Sequence, residues 1–154
     1  MGEGLARDLI SKGWAVACVD VQEQAGEALV AELGPNAHFI KCDIADYDDQ
    51  ARMYTEVWKK WGRLDALLAN AGIVDRSSIY ILDHRNSDRY GNHFCHNSRN
   101  LECEDAHNSF QHISIPPKPN TACTDVDYKA IVYGVQLAIH FMRKNSTPGG
   151  KIVA

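Results

Sequence analysis

Two glycines and one carboxylate near the start of the chain have the clearest chemical use. Gly2 and Gly4 head a short amphipathic stretch, and Asp20 closes the apolar run Ala15–Val19 that follows it. A pyrophosphate is held by backbone N–H groups at a helix N-terminus, and glycine is needed where the backbone itself must approach the ligand. A carboxylate at the end of the next strand can accept both hydroxyls of a ribose and repels a 2′-phosphate. Glycine turn, helix, strand and terminal acid, in that order, make the second half of a dinucleotide-binding βαβ unit. The first half would be a strand bearing an earlier glycine, and it would lie before Met1. Taken singly, each residue is explained as well by a bare helix start or a solvated capping acid. Their order points to a nucleotide.

The elements that must position these residues follow from periodicity. Leu5, Ala6, Leu9 and Ile10 keep the spacing of one buried helix face, which Gly13 ends. Gln22–Leu33 reads as a helix with Ala25, Leu29 and Leu33 on one stripe, stopped by Gly34-Pro35. His38–Cys42 is a short strand that again ends on a carboxylate, Asp43. Asp46 is placed to cap a helix running to Trp61, with Met53, Val57 and Trp61 inward and Gly62 closing it. Leu64–Ala69, apolar except for Asp65, is expected as a strand covered on both faces, ending in Asn70-Ala71-Gly72. Near the other end, Val126, Ala130, Tyr133, Leu137 and Phe141 mark a long amphipathic helix over Asp125–Lys144. Ser146–Gly150 is a turn, and Lys151–Ala154 begins another strand. Strands alternating with helices, without hairpin signals, predict an α/β fold of the doubly wound kind, a parallel sheet with helices on both faces.

Gly2-Glu3-Gly4, Asp20, Cys42-Asp43-Ile44, Gly62-Arg63-Leu64-Asp65 and Asn70-Ala71-Gly72 together resemble the short-chain dehydrogenase/reductase family, in its order and at its spacings. The flavour is similar to its hydroxyprostaglandin-dehydrogenase-like branch. The resemblance covers Gly2 to about Asp88 and Ile115 to Ala154. It implies a partial Rossmann-type sheet lacking the first strand and the C-terminal catalytic half, and NAD as cofactor. It further implies cofactor-binding roles for Gly2, Gly4, Asp20, Asp43, Ile44, Asn70, Ala71 and Gly72, with Asp43 beside the adenine amino group. The substrate implied is a small alcohol or ketone, and the assembly a homo-oligomer built through the Asp125–Lys144 helix. Hydride transfer in this family relies on a Ser-Tyr-Lys set that would follow Ala154, so no catalytic residue is expected here. The family's additional asparagine aligns with Asp127, a departure that removes an amide donor and adds a charge. Tyr128-Lys129 and the Tyr54–Lys59 pair lie outside the motif and read as helix-surface residues. The alternative to an enzyme fragment is a non-catalytic dinucleotide-binding or interaction module.

At 154 residues, 45% hydrophobic and 23% charged, the chain has the make-up of one soluble globular domain. A net charge of −4 speaks against nucleic acid or an anionic membrane as partner, and no apolar run reaches spanning length. Five scattered cysteines suit a reducing compartment, and a cytoplasmic location is the expectation. Residues 89–114 change character, becoming rich in Asn, His and Ser with no sustained period, and read as a polar insertion foreign to the fold. His93, His96, His107, His112, Cys95 and Cys103 fall within it, without the tight cysteine pair of a zinc site, so no metal is expected.

Loss of a central strand should cost more than the ~5–15 kcal/mol that holds a domain together. The isolated chain is therefore expected to be unstable or aggregation-prone unless its strands re-pair. Cooperative thermal unfolding of a soluble monomer would contradict this.

Overall fold

The computed structural model describes residues 1–74 and 121–154. The polar insertion expected at 89–114, with its histidines and cysteines, lies outside the described residues. The element order is α1 (Gly2–Ser11), β1 (Val16–Asp20), α2 (Glu23–Leu33), β2 (Ala37–Lys41), α3 (Tyr47–Trp61) and β3 (Ala66–Leu68). After residue 120 come α4 (Ala122–Thr124), a π-helical turn (Asp125–Lys129), α5 (Ala130–Met142) and β4 (Lys151–Val153).

All described strand pairing is parallel. β1 pairs with β2 in the register Val16 to Ala37 through Asp20 to Lys41, and β3 pairs with β4 from Ala66 to Lys151 through Leu68 to Val153. The two pairs form separate two-stranded sheets. Alternate β2 side chains serve opposite faces, as the pleat requires. Ile40 enters the core shared with α3 and α5, while Phe39 turns to α2. Gly26 makes that second contact possible, because a Cβ there would sit 2.0 Å from the Phe39 ring. Helices on both faces of β1–β2 make this a partial Rossmann-like α/β fold.

The core lies under α3 and α5. Ile40, Cys42, Met53, Tyr54, Val57, Leu137, Ala138 and Met142 form it, with Ala17, Val19 and Leu67 packed against it. β1, β2 and β3 therefore rest on the same helix pair. α3 is the best-specified helix: the Asp46 carboxylate accepts from the N–H groups of Asp48 and Asp49, and Gly62 takes the left-handed conformation at its end (φ 64°). Its inward stripe is the one the spacing marks, Met53, Val57 and Trp61.

Several expectations need correction. Tyr54 is not on the helix surface; it is 3% exposed, and its hydroxyl donates to the Gly134 carbonyl at 2.9 Å. Position 54 falls one residue after Met53 and three before Val57, on the edge of the buried stripe, and Gly134 leaves room for the ring. Tyr128 does lie on the surface. β3 is only three residues long and is not covered on both faces, since Leu68 is 37% exposed; the core packs on the Leu67 side alone. The α1 face is only partly buried, with Ala6 inside and Leu5 exposed. On α2 the buried contact is Gly26, and Ala25 is exposed. The helix over 125–144 opens with a π turn that no periodicity signals.

Asn145, buried at the end of α5, fixes where β3 and β4 begin. Its Oδ1 accepts from the Leu64 N–H at 3.0 Å, while Nδ2 donates to the carbonyls of Leu64 (2.8 Å) and Gly149 (3.2 Å). The amide thus stands in for a strand neighbour. Asn145→Ala leaves these groups to find other partners and is expected to cost about 1–3 kcal/mol. The urea midpoint checks it, with an unchanged midpoint as the contrary result.

Candidate functional site

The candidate residues gather at strand ends. The helix α1 rises about 15 Å over its ten residues and β1 covers nearly the same length. The short Lys12–Ala15 link reverses the chain between them, so Gly2 is brought to the level of Asp20 rather than of Val16. Gly2 also meets the end of β3: a Cβ on it would lie 3.0 Å from the Asn70 Nδ2. Gly4 faces open space, with nothing within 4 Å of the corresponding position. No side chain caps α1, so its first N–H groups are not taken by a capping residue. Glu3, which would oppose an anion here, is drawn to Arg7 at 2.8 Å, and Arg7 also bridges to Glu32 on α2 at 2.7 Å. These pairs are exposed and contribute little stability.

The Asp20 Oδ1 accepts from the Gln22 N–H at 2.9 Å, which orients the carboxylate at the mouth of α2. Its Oδ2 has no hydrogen-bond partner among the described residues. Lys41, its register partner on β2, is engaged by Glu23 at 2.9 Å.

The Cys42–Asp46 turn is built by α3. The Asp43 Oδ1 accepts from the Ala45 N–H at 2.9 Å, and the Asp43 N–H donates to the Asp49 Oδ2 at 2.7 Å. The Ile44 carbonyl accepts from the buried Gln50 amide at 2.6 Å, and the same Nε2 donates to the Ala130 carbonyl at 2.9 Å. Asp43 takes no part in capping α3, which falls to Asp46. Asn70, Ala71 and Gly72 are exposed, and Gly72 lies close to Asp127, whose Oδ1 would be 3.3 Å from a Cβ. The structure therefore brings Gly2 together with Asn70, and Gly72 together with Asp127, while Asp43 and Ile44 form a separate turn held by α3.

Asp49 and Gln50 are site-supporting residues that sequence reasoning missed. An Asp three positions after the Asp46 cap was the available signal, since that position reaches back toward the chain entering the helix. The Asp43 N–H and the Arg52 guanidinium hold the Asp49 carboxyl below the ordinary carboxylate value. Cys18 of β1 and Cys42 of the turn after β2 are not poised as nucleophiles. Burial raises the Cys18 thiol, and burial followed by the charge of Asp49 pushes Cys42 up to about 12. Among the described residues no group of three His, Cys, Asp or Glu side chains is placed to hold a metal. No helix among them is long and apolar enough to cross a membrane.

The family model for short chain dehydrogenase matches residues 1–92, the stretch that carries these strand-end turns. The chain belongs to the short-chain dehydrogenase/reductase family. Among relatives in the family, it is 46% identical over 154 residues to the short-chain dehydrogenase/reductase prx6 of Penicillium rubens, covering 99% of this chain and 44% of that one. It is 25% identical over 150 residues to prx7 of the same fungus, covering 97% and 45%. It is also 32% identical over 89 residues to the sorbitol dehydrogenase of Cereibacter sphaeroides, covering 58% and 35%. The chain thus spans less than half the length of these curated relatives.

The lowered Asp49 carboxyl gives a pH dependence with a defined sign. A carboxylate whose folded pKa is depressed stabilises fully above its unfolded value and loses that contribution as pH falls through the folded one. Asp49→Asn is therefore expected to lower the urea midpoint near neutral pH, with the gap to the parent narrowing below about pH 4. A gap that stays constant from pH 6 to pH 3 would contradict the assignment.

Proposed function

We propose that this chain supplies the nucleotide-binding half of an oxidoreductase of this family, with NAD as the dinucleotide and a secondary alcohol or ketone as the substrate class. The Asp20 carboxylate carries the reading: it stands at the end of β1 with Oδ2 uncommitted, level with the uncapped start of α1. The residues fit the cofactor by their chemistry. Gly2 and Gly4 leave the N–H groups at the head of α1 accessible to a pyrophosphate, and open space lies beside Gly4. Asp20 would accept the ribose hydroxyls and would repel the 2′-phosphate of NADP. Asp43 and Ile44 would border the adenine, and Asn70, Ala71 and Gly72 the adenosine side of the cleft.

Bound NAD would accept or return the hydride; the residues named here bind and orient it. No residue of this chain is assigned to proton transfer, and the burial of Tyr54, which raises its hydroxyl pKa, supports leaving it out. The chain is accordingly read as binding-competent and without turnover on its own. Its scattered cysteines favour the cytoplasm.

Fluorescence titration with NADH and NADPH, beside an assay on generic secondary alcohols, tests the reading. The chain is expected to bind NADH more tightly than NADPH and to show no turnover. Asp20→Ala should weaken NADH about tenfold, as befits hydrogen bonds to a charged acceptor, and erase most of the preference. Equal affinity for both dinucleotides, or indifference to the substitution, would contradict it.

A further inference from the structure

The Asn70–Ile73 turn is gripped from the opposite side by a helix segment whose geometry departs from the α form. Ile73 donates its N–H to the Asp127 Oδ1 at 2.9 Å, and its carbonyl lies 3.5 Å from the Cys123 Sγ, which donates to it. Cys123 and Asp127 are four residues apart, and the π turn Asp125–Lys129 carries the second of them. Insertions of this kind re-aim a helix face and are frequent at functional sites. Gly72, the residue before Ile73, packs closely on the same carboxylate: a Cβ there would sit 3.3 Å from the Asp127 Oδ1 and would press on it.

We infer that Asp127 and Cys123 act together as a two-point clamp on Ile73 that sets the position of the Asn70–Gly72 turn, and so are positioning residues for the nucleotide site. The inference rests on the dinucleotide reading given above. A carboxylate can only accept, so Asp127 serves the Ile73 N–H and can do nothing for the Ile73 carbonyl. The thiol supplies the missing donor. An asparagine at 127 would offer both an acceptor and a donor from one amide. The acid and the thiol thus divide between two side chains what one amide could do alone, and the charge at 127 is used against a backbone N–H rather than left free.

This division makes a non-additive outcome the test. The NADH dissociation constant is measured for the full chain and for Cys123→Ala, Cys123→Ser, Asp127→Ala, Asp127→Asn and the pair Cys123→Ala with Asp127→Asn, together with the hydrogen-exchange rate of the Ile73 amide. Cys123→Ala and Asp127→Ala are each expected to weaken NADH about two- to tenfold, the worth of one hydrogen bond. Cys123→Ser keeps a donor and should stay within about twofold of the parent. The Ile73 amide should exchange faster in Asp127→Ala and remain protected in Asp127→Asn. The double variant should recover toward the parent, because the amide then serves both Ile73 groups. A double variant no better than Cys123→Ala alone, or an Ile73 amide indifferent to Asp127→Ala, would overturn the clamp. Absence of NADH binding in every form would overturn the dinucleotide reading, and the Ile73 exchange rates would still decide the clamp.

Discussion

β1–β2 and β3–β4 share no backbone ladder, so the packing of α3 on α5 keeps their ends in register with one another. That packing is polar at its centre. Gln50 and Tyr54, one turn apart on α3, donate to the carbonyls of Ala130 and Gly134, one turn apart on α5. Both donors are buried, and no buried side-chain nitrogen or oxygen among the described residues lacks a partner. A satisfied buried bond adds about 1 kcal/mol, whereas an orphaned one costs about 1–3 kcal/mol, so the pair fixes the axial offset of the two helices more than it strengthens them. Gly134 makes the approach possible, since a Cβ there would already press on the Gln50 Oε1 at 3.2 Å.

From this joint outward, each strand-end turn has its own side-chain-to-backbone lock. Asp20 holds the Gln22 N–H, Asp43 holds Ala45, Asp49 holds Asp43, and Asp127 holds Ile73. Four aspartates organise three turns, the Cys42–Asp46 turn being held by two of them, and each acts through a short bond to a main-chain N–H. Turns held in this way need little reordering when a ligand arrives, which spares part of the entropy that binding otherwise costs. Their placement on exposed turns, with the apolar core behind them, is the arrangement expected of a site built on a scaffold.

Much of the fold was legible in the chain because local signals and tertiary packing agree. The Asp46 cap, the Met53–Val57–Trp61 stripe and the Gly62 stop all point to one helix, and the structure has it. The Ala130, Leu137 and Phe141 positions of α5 likewise face the core as their spacing requires. What escaped depends on partners distant in sequence. Tyr54 reads as a surface residue until Gly134 is brought beside it, and the role of Asn145 has no local signal until Leu64 is brought to its amide. The π turn has no periodic signature of its own, and only the bond from Ile73 explains why Asp127 is turned where it is. The shortness of β3 and the exposure of Leu68 follow from packing on one face only, which an apolar run alone does not reveal. For the site, residue types and order indicated the candidates; of the supporting residues, Asp49 is signalled by its spacing from the Asp46 cap, whereas Gln50 and Cys123 needed the fold.

On the proposed function, the start of α1, the end of β1 and the end of β3 form one nucleotide-binding mouth. Backbone amide NMR of the labelled chain during titration with NAD tests this most directly. Shifts are expected to concentrate at Gly2–Gly4, Asp20–Gln22 and Asn70–Ile73 and to grow together along a single saturation curve. Shifts confined to the outer surface of α5, or three groups that saturate at different concentrations, would contradict it.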